Sequence, residues 1–350
     1  MTKISTKLVV WYEKNHTVFP WRKTQEPYKI WISEIMLQQT QIKTVIPYYL
    51  NWMKKLPTID SLYTSDLNKI LKLWEGLGYY YRAQNLWKAS KKIVEKFNGE
   101  IPTTYDGLIS LNGIGNYTAS AILSIAYNQK FLALDGNLKR VLSRYFALSR
   151  NKQKDPLYNK YGLQLISETE PGKSNQALMD IGREICKPSK ALCHLCPLQL
   201  NCQAHQSNTI NQYPIKNKSK IIPLYNVVVG LLIKNNKFLI SKRKPTGLLP
   251  NLWEIPGGKI KNGESQTECL KREIKEETNL RVEGEENIGS ITHAYSHFKV
   301  KISLYIITKF KGKPKALTSV QIKWVELNEI NKYTFPRATH KLFELYKKNV

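Results

Sequence analysis

The feature that most constrains this chain is a change of texture near residue 211. Up to about Cys202, segments such as SDLNKILKLWEGLGYYYRAQNLWKASKKIVEKFNGE carry apolar residues three and four apart, the spacing of helices that bury one face. That segment stops at Asn98-Gly99 with Pro102 just beyond, a helix exit. The stretch NQYPIKNKSKIIPLY has two prolines, three lysines and little periodicity, and reads as a linker. Strand-like runs follow: YNVVVGLLI, then KFLISKR across an Asn235-Asn236 turn, later KVKISLYIITKF and IKWVEL. One amphipathic helix is expected around Glu268–Glu277 and another at the C-terminus. The expected architecture is therefore multi-domain: an all-α domain over 1–210, a linker over 211–225 and an α+β domain over 226–350. A chain of 350 residues is long enough for both.

Charge narrows the partners. The net charge is +27, of which +16 lies before Asn226 and +11 from there on, so both halves are basic and no single tail carries the excess. Such a chain attracts polyanions through phosphate contacts and counterion release, and nucleic acid is favoured over a merely solubilising lysine surface. No apolar run approaches the roughly 18 residues of a membrane span. The N-terminal MTKISTKLVVWYEKN has too short an apolar stretch for a secretory signal, so a cytoplasmic protein with no membrane partner is expected.

Four of the five cysteines fall within CKPSKALCHLCPLQLNC, at Cys186, Cys193, Cys196 and Cys202. In a reducing compartment disulfides are disfavoured, which leaves a metal. Structural zinc usually uses two close cysteine pairs; here one pair is flanked by single cysteines, which suits an iron–sulfur cluster somewhat better. On spacing alone both remain open. Cys269 lies far away on the expected helix and reads as a packed thiol.

Two acidic residues stand in apolar settings. WISEIMLQQTQ holds Glu34 in an otherwise uncharged segment. LDGNLKRVLSR places Asp135 just before a basic helix, where a plain N-cap explains it equally well. A buried carboxyl group has a raised pKa and works as a general acid near neutral pH. With an ionised partner it forms the two-carboxylate apparatus that cleaves glycosidic bonds. Between them LNGIGNYTASAILSIAY sets Gly113 and Gly115 in a tight turn before an apolar helix, a place where backbone N–H groups can meet a phosphate.

Taken together and in this order, SEIMLQQTQ, GLGYYYRA, LNGIGNYTA, LDGN and the cysteine spacing resemble the helix-hairpin-helix DNA glycosylases, specifically the adenine DNA glycosylase (MutY) family. The resemblance implies a four-iron, four-sulfur cluster on the four cysteines, holding a loop whose Lys187 and Lys190 can face DNA. It implies that Glu34 protonates the adenine ring and Asp135 stabilises the oxocarbenium, supported by Tyr117 and Asn137. Gln39 and Tyr79 match residues inserted into the base stack, Thr40 sits beside the opposing base, and Trp21 and Arg22 begin the pocket. Relatives that also cut the backbone have a lysine where this chain has Tyr117, which cannot form a Schiff base, so a monofunctional enzyme is expected. The implied substrate is double-stranded DNA with adenine opposite 8-oxoguanine or guanine, and the implied state a monomer associated with a bacterial nucleoid.

The C-terminal half resembles a Nudix fold. Tyr295-Ser296-His297 resembles the family's lesion-reading Phe-Ser/Thr-His loop, with tyrosine in place of phenylalanine. GKIKNGESQTECLKREIKEETNL follows the Nudix box through Gly258, Glu264, Arg272, Glu273, Glu276 and Glu277, departing only at Asn279. These glutamates leave one rival, a Mg²⁺-dependent hydrolase of oxidised nucleotides carried on a DNA-binding domain. A non-catalytic DNA binder is the other.

Overall fold

A computed structural model describes residues 4–215, 222–295 and 297–349. They divide into two compact units, one of residues up to 65 together with 85–215, the other of residues 66–84 together with 222–349.

The helices of the N-terminal part are α1 (Ile4–Asn15), α2 (Pro27–Leu37), α3 (Ile42–Lys55), α4 (Ile59–Tyr63), α5 (Leu67–Leu73) and α6 (Tyr81–Phe97). They continue as α7 (Tyr105–Ile109), α8 (Asn116–Ile125), α9 (Gly136–Tyr145), α10 (Asp155–Gly162), α11 (Pro171–Asp180) and α12 (Gln203–Gln206). Of these, α5 belongs to the second unit and α6 spans the boundary. Helix α2 starts at Pro27, whose missing N–H costs nothing at that position, and it is buried on almost every side from Ile30 to Met36. Helix α8 is buried likewise from Thr118 to Ser124. Helix α11 packs against α1, α8 and α9. It comes this close to α8 because Gly172 has no side chain; a Cβ there would lie 2.8 Å from the Ser124 carbonyl oxygen.

The glycine-flanked segment forms a turn between α7 and α8. Gly113 adopts φ +79°, and a Cβ there would also fall 2.7 Å from Asn85 Cβ. Gly115 caps α8 in an extended conformation without a side-chain acceptor, so the first N–H groups of the helix have no capping side chain.

In the second unit the strands are β1 (Leu224–Lys234), β2 (Lys237–Lys242), β3 (Trp253–Glu254), β4 (Gly257–Lys259), β5 (Arg281–Ala294), β6 (Lys299–Lys311) and β7 (Gln321–Glu326). They form one sheet in the order β3-β2-β1-β6-β5, with β4 also paired to β1 and β7 to β2. Only β1 and β6 run parallel, from Leu224 opposite Lys299 onward. Asn235 and Asn236 sit at φ +50° and +59°, as a two-residue hairpin turn requires. Alternation along β1 sends Val228 and Leu232 to one face and Val229 and Leu231 to the other. The first face is covered by α13 (Gln266–Thr278), through Cys269, Leu270 and Ile274; the second by α14 (Arg337–Asn349), through Ala338, Leu342 and Phe343. Cys269 is thus a packed thiol.

Gly113→Ala should destabilise the helical unit by about 1–3 kcal/mol, since it adds a strained φ to a clash. Denaturant melts should show a lower midpoint; an unchanged midpoint would mean that the turn relaxes freely.

Candidate active site

In the first unit α2, the turn after it, α8 and the start of α9 surround a pocket of about 780 Å³, at the large end of what small-molecule sites occupy. Of the residues expected from the sequence, Trp21, Arg22, Glu34, Gln39, Thr40, Tyr117, Asp135 and Asn137 all line it. Gly113 and Gly115 do not line it; they shape the turn that leads into α8, the helix that carries Tyr117.

Glu34 points into this pocket from a helix that is otherwise core, and is only 6% exposed. The Tyr117 hydroxyl donates to Glu34 Oε2 at 2.6 Å. Burial pushes the Glu34 carboxyl up to about 7; the Tyr117 hydrogen bond opposes that rise, and the Asp135 charge adds to it. Asp135 is partly buried, which also raises its pKa, but donors surround it. The Leu138 N–H donates to Oδ1 at 2.7 Å and Asn137 Nδ2 donates to Oδ2 at 3.0 Å, so Asp135 is both the N-cap of α9 and a wall of the pocket. A helix N-terminus also favours the anion there. Two neighbouring carboxyl groups thus meet opposite conditions: little hydrogen bonding for Glu34, and several charge-stabilising donors for Asp135.

Other partners lie beyond the expected set. Arg22 gives both guanidinium nitrogens to Asp180, at 2.7 and 2.8 Å, so its fork is engaged by a carboxylate. Asp180 also takes Arg183 at 2.9 Å. Arg140 donates to Asn137 Oδ1 at 2.8 Å, to the Gly182 carbonyl at 2.6 Å and to the Cys186 carbonyl at 2.7 Å. Gly182 allows this approach, since a Cβ there would lie 2.7 Å from Asn137 Cβ. Asp180 had one legible signal, an acid inside the apolar run ALMDIG; Arg140 had none beyond its place in a basic helix.

The four cysteines carry no disulfide and line one small cavity. Arg144, buried, ties the loop around it: Nη1 donates to Cys186 Sγ at 3.3 Å and to the Lys187 carbonyl at 2.8 Å, and Nη2 donates to the Pro188 carbonyl at 3.0 Å. Burial and the neighbouring thiols push the Cys196 thiol up to about 12. Holding a metal here requires these thiols to lose their protons. Among the described residues no three His, Cys, Asp or Glu side chains form a group fit for a single metal ion. Four cysteine sulfurs around one cavity are the donor chemistry of an iron–sulfur cluster. Lys187 and Lys190 are exposed.

In the second unit Tyr79 is half-buried with φ +48°, and Tyr295 stacks at a tilt on Phe298, their centroids 4.8 Å apart. His297 is exposed; Ser296 lies outside the described residues. The Nudix-box acids are engaged with one another's partners. Arg272 donates to Glu264 at 2.6 Å and Glu273 at 2.7 Å. Glu277 accepts the Gly257 N–H at 3.0 Å, and burial, then the Glu254 charge, push it up to about 8. Asn279 ends α13 at φ +63°, the left-handed conformation that asparagine tolerates.

A helical unit with a hairpin turn beside a two-carboxylate pocket, joined to a Nudix-type sheet, defines a class: DNA glycosylases of base excision repair. Residues 32–162 match the HhH-GPD superfamily of base excision DNA repair proteins, and residues 228–345 match the NUDIX domain. The chain belongs to the adenine DNA glycosylase family. It is 36% identical to the adenine DNA glycosylase of Buchnera aphidicola subsp. Schizaphis graminum over 98% of either chain. It is 29% identical to that of Homo sapiens over 99% of this chain and 74% of the relative. A thermostable thymine-DNA glycosylase superposes with a TM-score of 0.54 at 26% identity, covering 58% of this chain and 95% of its own. A trapped endonuclease III–DNA covalent intermediate gives 0.51 at 22% identity over 59% of this chain and 99% of its own, a likeness of fold. Among the described residues no helix is long and apolar enough to cross a membrane.

Tyr117→Phe removes the donor that favours the Glu34 carboxylate, so the Glu34 pKa should rise further above about 7. A carbon-13 NMR titration of the carboxyl group reads this; an unchanged or lower midpoint would contradict the assigned hydrogen bond.

Proposed function

We propose that the chain removes adenine from mispairs with 8-oxoguanine, and with guanine, and leaves an abasic site. The observation that carries this reading is the unequal pair in one pocket: a buried Glu34 poised near neutrality and an Asp135 that accepts the Leu138 N–H of α9 and the Asn137 amide. Adenine turned out of the duplex enters the pocket at an unstacking cost of a few kcal/mol. Glu34, protonated below about pH 7, gives its proton to the adenine ring and turns it into a leaving group. As the N-glycosidic bond lengthens, Asp135 faces the positive charge growing on the sugar, and water completes the hydrolysis. Asn137 and Tyr117 hold the two carboxylates in place, and Arg140 holds Asn137.

Position 117 supplies a hydroxyl and no amine, so no Schiff base forms and strand cleavage is not part of the reaction. Gln39, Thr40 and Tyr79 face the base stack in this reading, and Tyr295, Ser296 and His297 read the base opposite the adenine. Cys186, Cys193, Cys196 and Cys202 hold a four-iron, four-sulfur cluster. When bound it gives the thiolate loop its counter-charge and fixes the shape that presents Lys187 and Lys190. The adenine-removal step runs through carboxylates and requires no Mg²⁺. The engagement of Arg272 with Glu264 and Glu273 gives the Nudix-box acids a structural occupation, and the second unit is read as a lesion reader.

Glu34→Gln should lower base release by about 10²–10⁴-fold while leaving duplex affinity within about threefold of wild type. Single-turnover cleavage and a binding titration on the same duplex decide it. Loss of affinity in parallel with rate would make Glu34 a structural residue and overturn its proposed role. For the wild type, the rate should fall as pH rises through about 7.

A further inference from the structure

The turn that carries Tyr79 is strained. Gly76 and Gly78 adopt φ of +94° and +77°, and Tyr79, which has a Cβ, sits at +48°. A left-handed non-glycine residue persists only where its surroundings over-determine it. Part of the hold is local. Trp74 Nε1 and Arg82 Nη2 donate to the Gly78 carbonyl at 3.0 and 3.1 Å, and the Arg82 guanidinium, 2% exposed, lies 5.3 Å from the centre of the Tyr79 ring.

The rest comes from the segment that leads into α14, in the same compact unit. Phe335 N–H donates to Glu75 Oε1 at 2.8 Å, and His340 Nε2 lies 2.9 Å from that oxygen. The Tyr80 hydroxyl donates to the Phe335 carbonyl at 3.0 Å and accepts the Gly76 N–H at 3.1 Å. Lys72, itself paired with Glu75, donates to the Tyr333 carbonyl at 3.0 Å.

The same segment shares a core with Tyr295. Fully buried Phe335 belongs to the cluster against which Tyr295 and Phe298 pack. Its ring meets His340 edge-on at 6.0 Å and Phe343 at 5.4 Å. Leu345 of α14 approaches the Cα side of Gly289 on β5, 3.5 Å from where a Cβ would stand. Tyr295 in turn meets His293 edge-on at 4.8 Å, and Lys341 and Arg337 of α14 stand near enough to bear on His293. The segment Tyr333–His340 therefore hydrogen-bonds the strained turn and, through Phe335, shares the apolar cluster on which Tyr295 packs.

We propose that Glu75 and His340 are positioning residues that couple Tyr295 to the turn carrying Tyr79, so that contact with the lesion sets the turn for insertion. This rests on the DNA-facing roles assigned above to Tyr79 and to Tyr295–His297. A contact that shifts the loop shifts the aromatic floor beneath it, and the Glu75 hydrogen bonds carry that shift to the turn. Glu75 Oε1 accepts the Phe335 N–H and lies 2.9 Å from His340 Nε2, so one side chain of the turn meets both residues.

The test uses the full chain with His340→Leu and His340→Gln. The glutamine amide still donates to Glu75, whereas leucine fills the space and donates nothing. The preference for adenine opposite 8-oxoguanine over adenine opposite guanine, measured as a ratio of single-turnover rates, should fall about tenfold in the leucine variant. The glutamine variant should stay within about twofold of wild type. An unchanged preference in the leucine variant, or equal loss in both, would overturn the coupling. Hydrogen exchange on the DNA-free protein keeps this separate from the substrate assignment. His340→Leu should speed amide exchange at 76–80 and at 293–297 together; acceleration at one alone would refute the coupling, whatever mispair the enzyme acts on.

Discussion

The helical unit is organised around one costly act, keeping the Glu34 carboxyl group away from water. A lone buried carboxylate would ionise only at a penalty of several kcal/mol, so the group retains its proton up to about pH 7. The arrangement around it follows. Helix α2 must be apolar on nearly every face to seal Glu34, and α8 must approach closely enough for Tyr117 to donate to it. The approach of α11 to α8 through Gly172 closes the same core. Asp135 stands at the start of a helix, where it accepts more hydrogen bonds than Glu34, whose donor is Tyr117.

Asp135 also links the pocket to the cysteine loop through an unbroken set of hydrogen bonds. Asn137 joins Asp135, Arg140 joins Asn137, and Arg140 reaches the backbone at Gly182 and Cys186. The loop that the cysteines shape is thereby part of what fixes the anion.

Much of this was legible in the sequence, for physical reasons. Helical spacing and the Asn98-Gly99 exit forecast α6, which ends at Phe97 with Asn98 and Gly99 both at positive φ. The Asn235-Asn236 pair forecast the first hairpin, and the Ser265 capping box opens α13 close to where amphipathicity placed it. Strand β5 was not legible: RVEGEENIGSITHA has acids and glycines where a strand usually has β-branched residues, and its pairing with β6 is broken by bulges near Gly284 and Gly289. Within the pocket, Glu34 announced itself as an acid in an apolar helix. Asp180 gave a weaker signal of the same kind in ALMDIG, but its partner Arg22 lies 158 residues away; Arg140 gave none, because it reaches the backbone carbonyls of Gly182 and Cys186. The assignment of residues 66–84 to the strand-bearing unit was also out of reach, since its hydrogen bonds to Phe335 and His340 depend on tertiary packing.

The most direct test is a single-turnover assay of the cluster-loaded protein on duplexes with one adenine opposite 8-oxoguanine, without Mg²⁺, split into samples with and without alkali. Two carboxylates and no amine nucleophile predict strand breaks at the adenine only after alkali. Breaks without alkali would show a backbone-cutting reaction that this pocket does not provide for. No base release at all would contradict the account of Glu34 and Asp135 as the reacting pair.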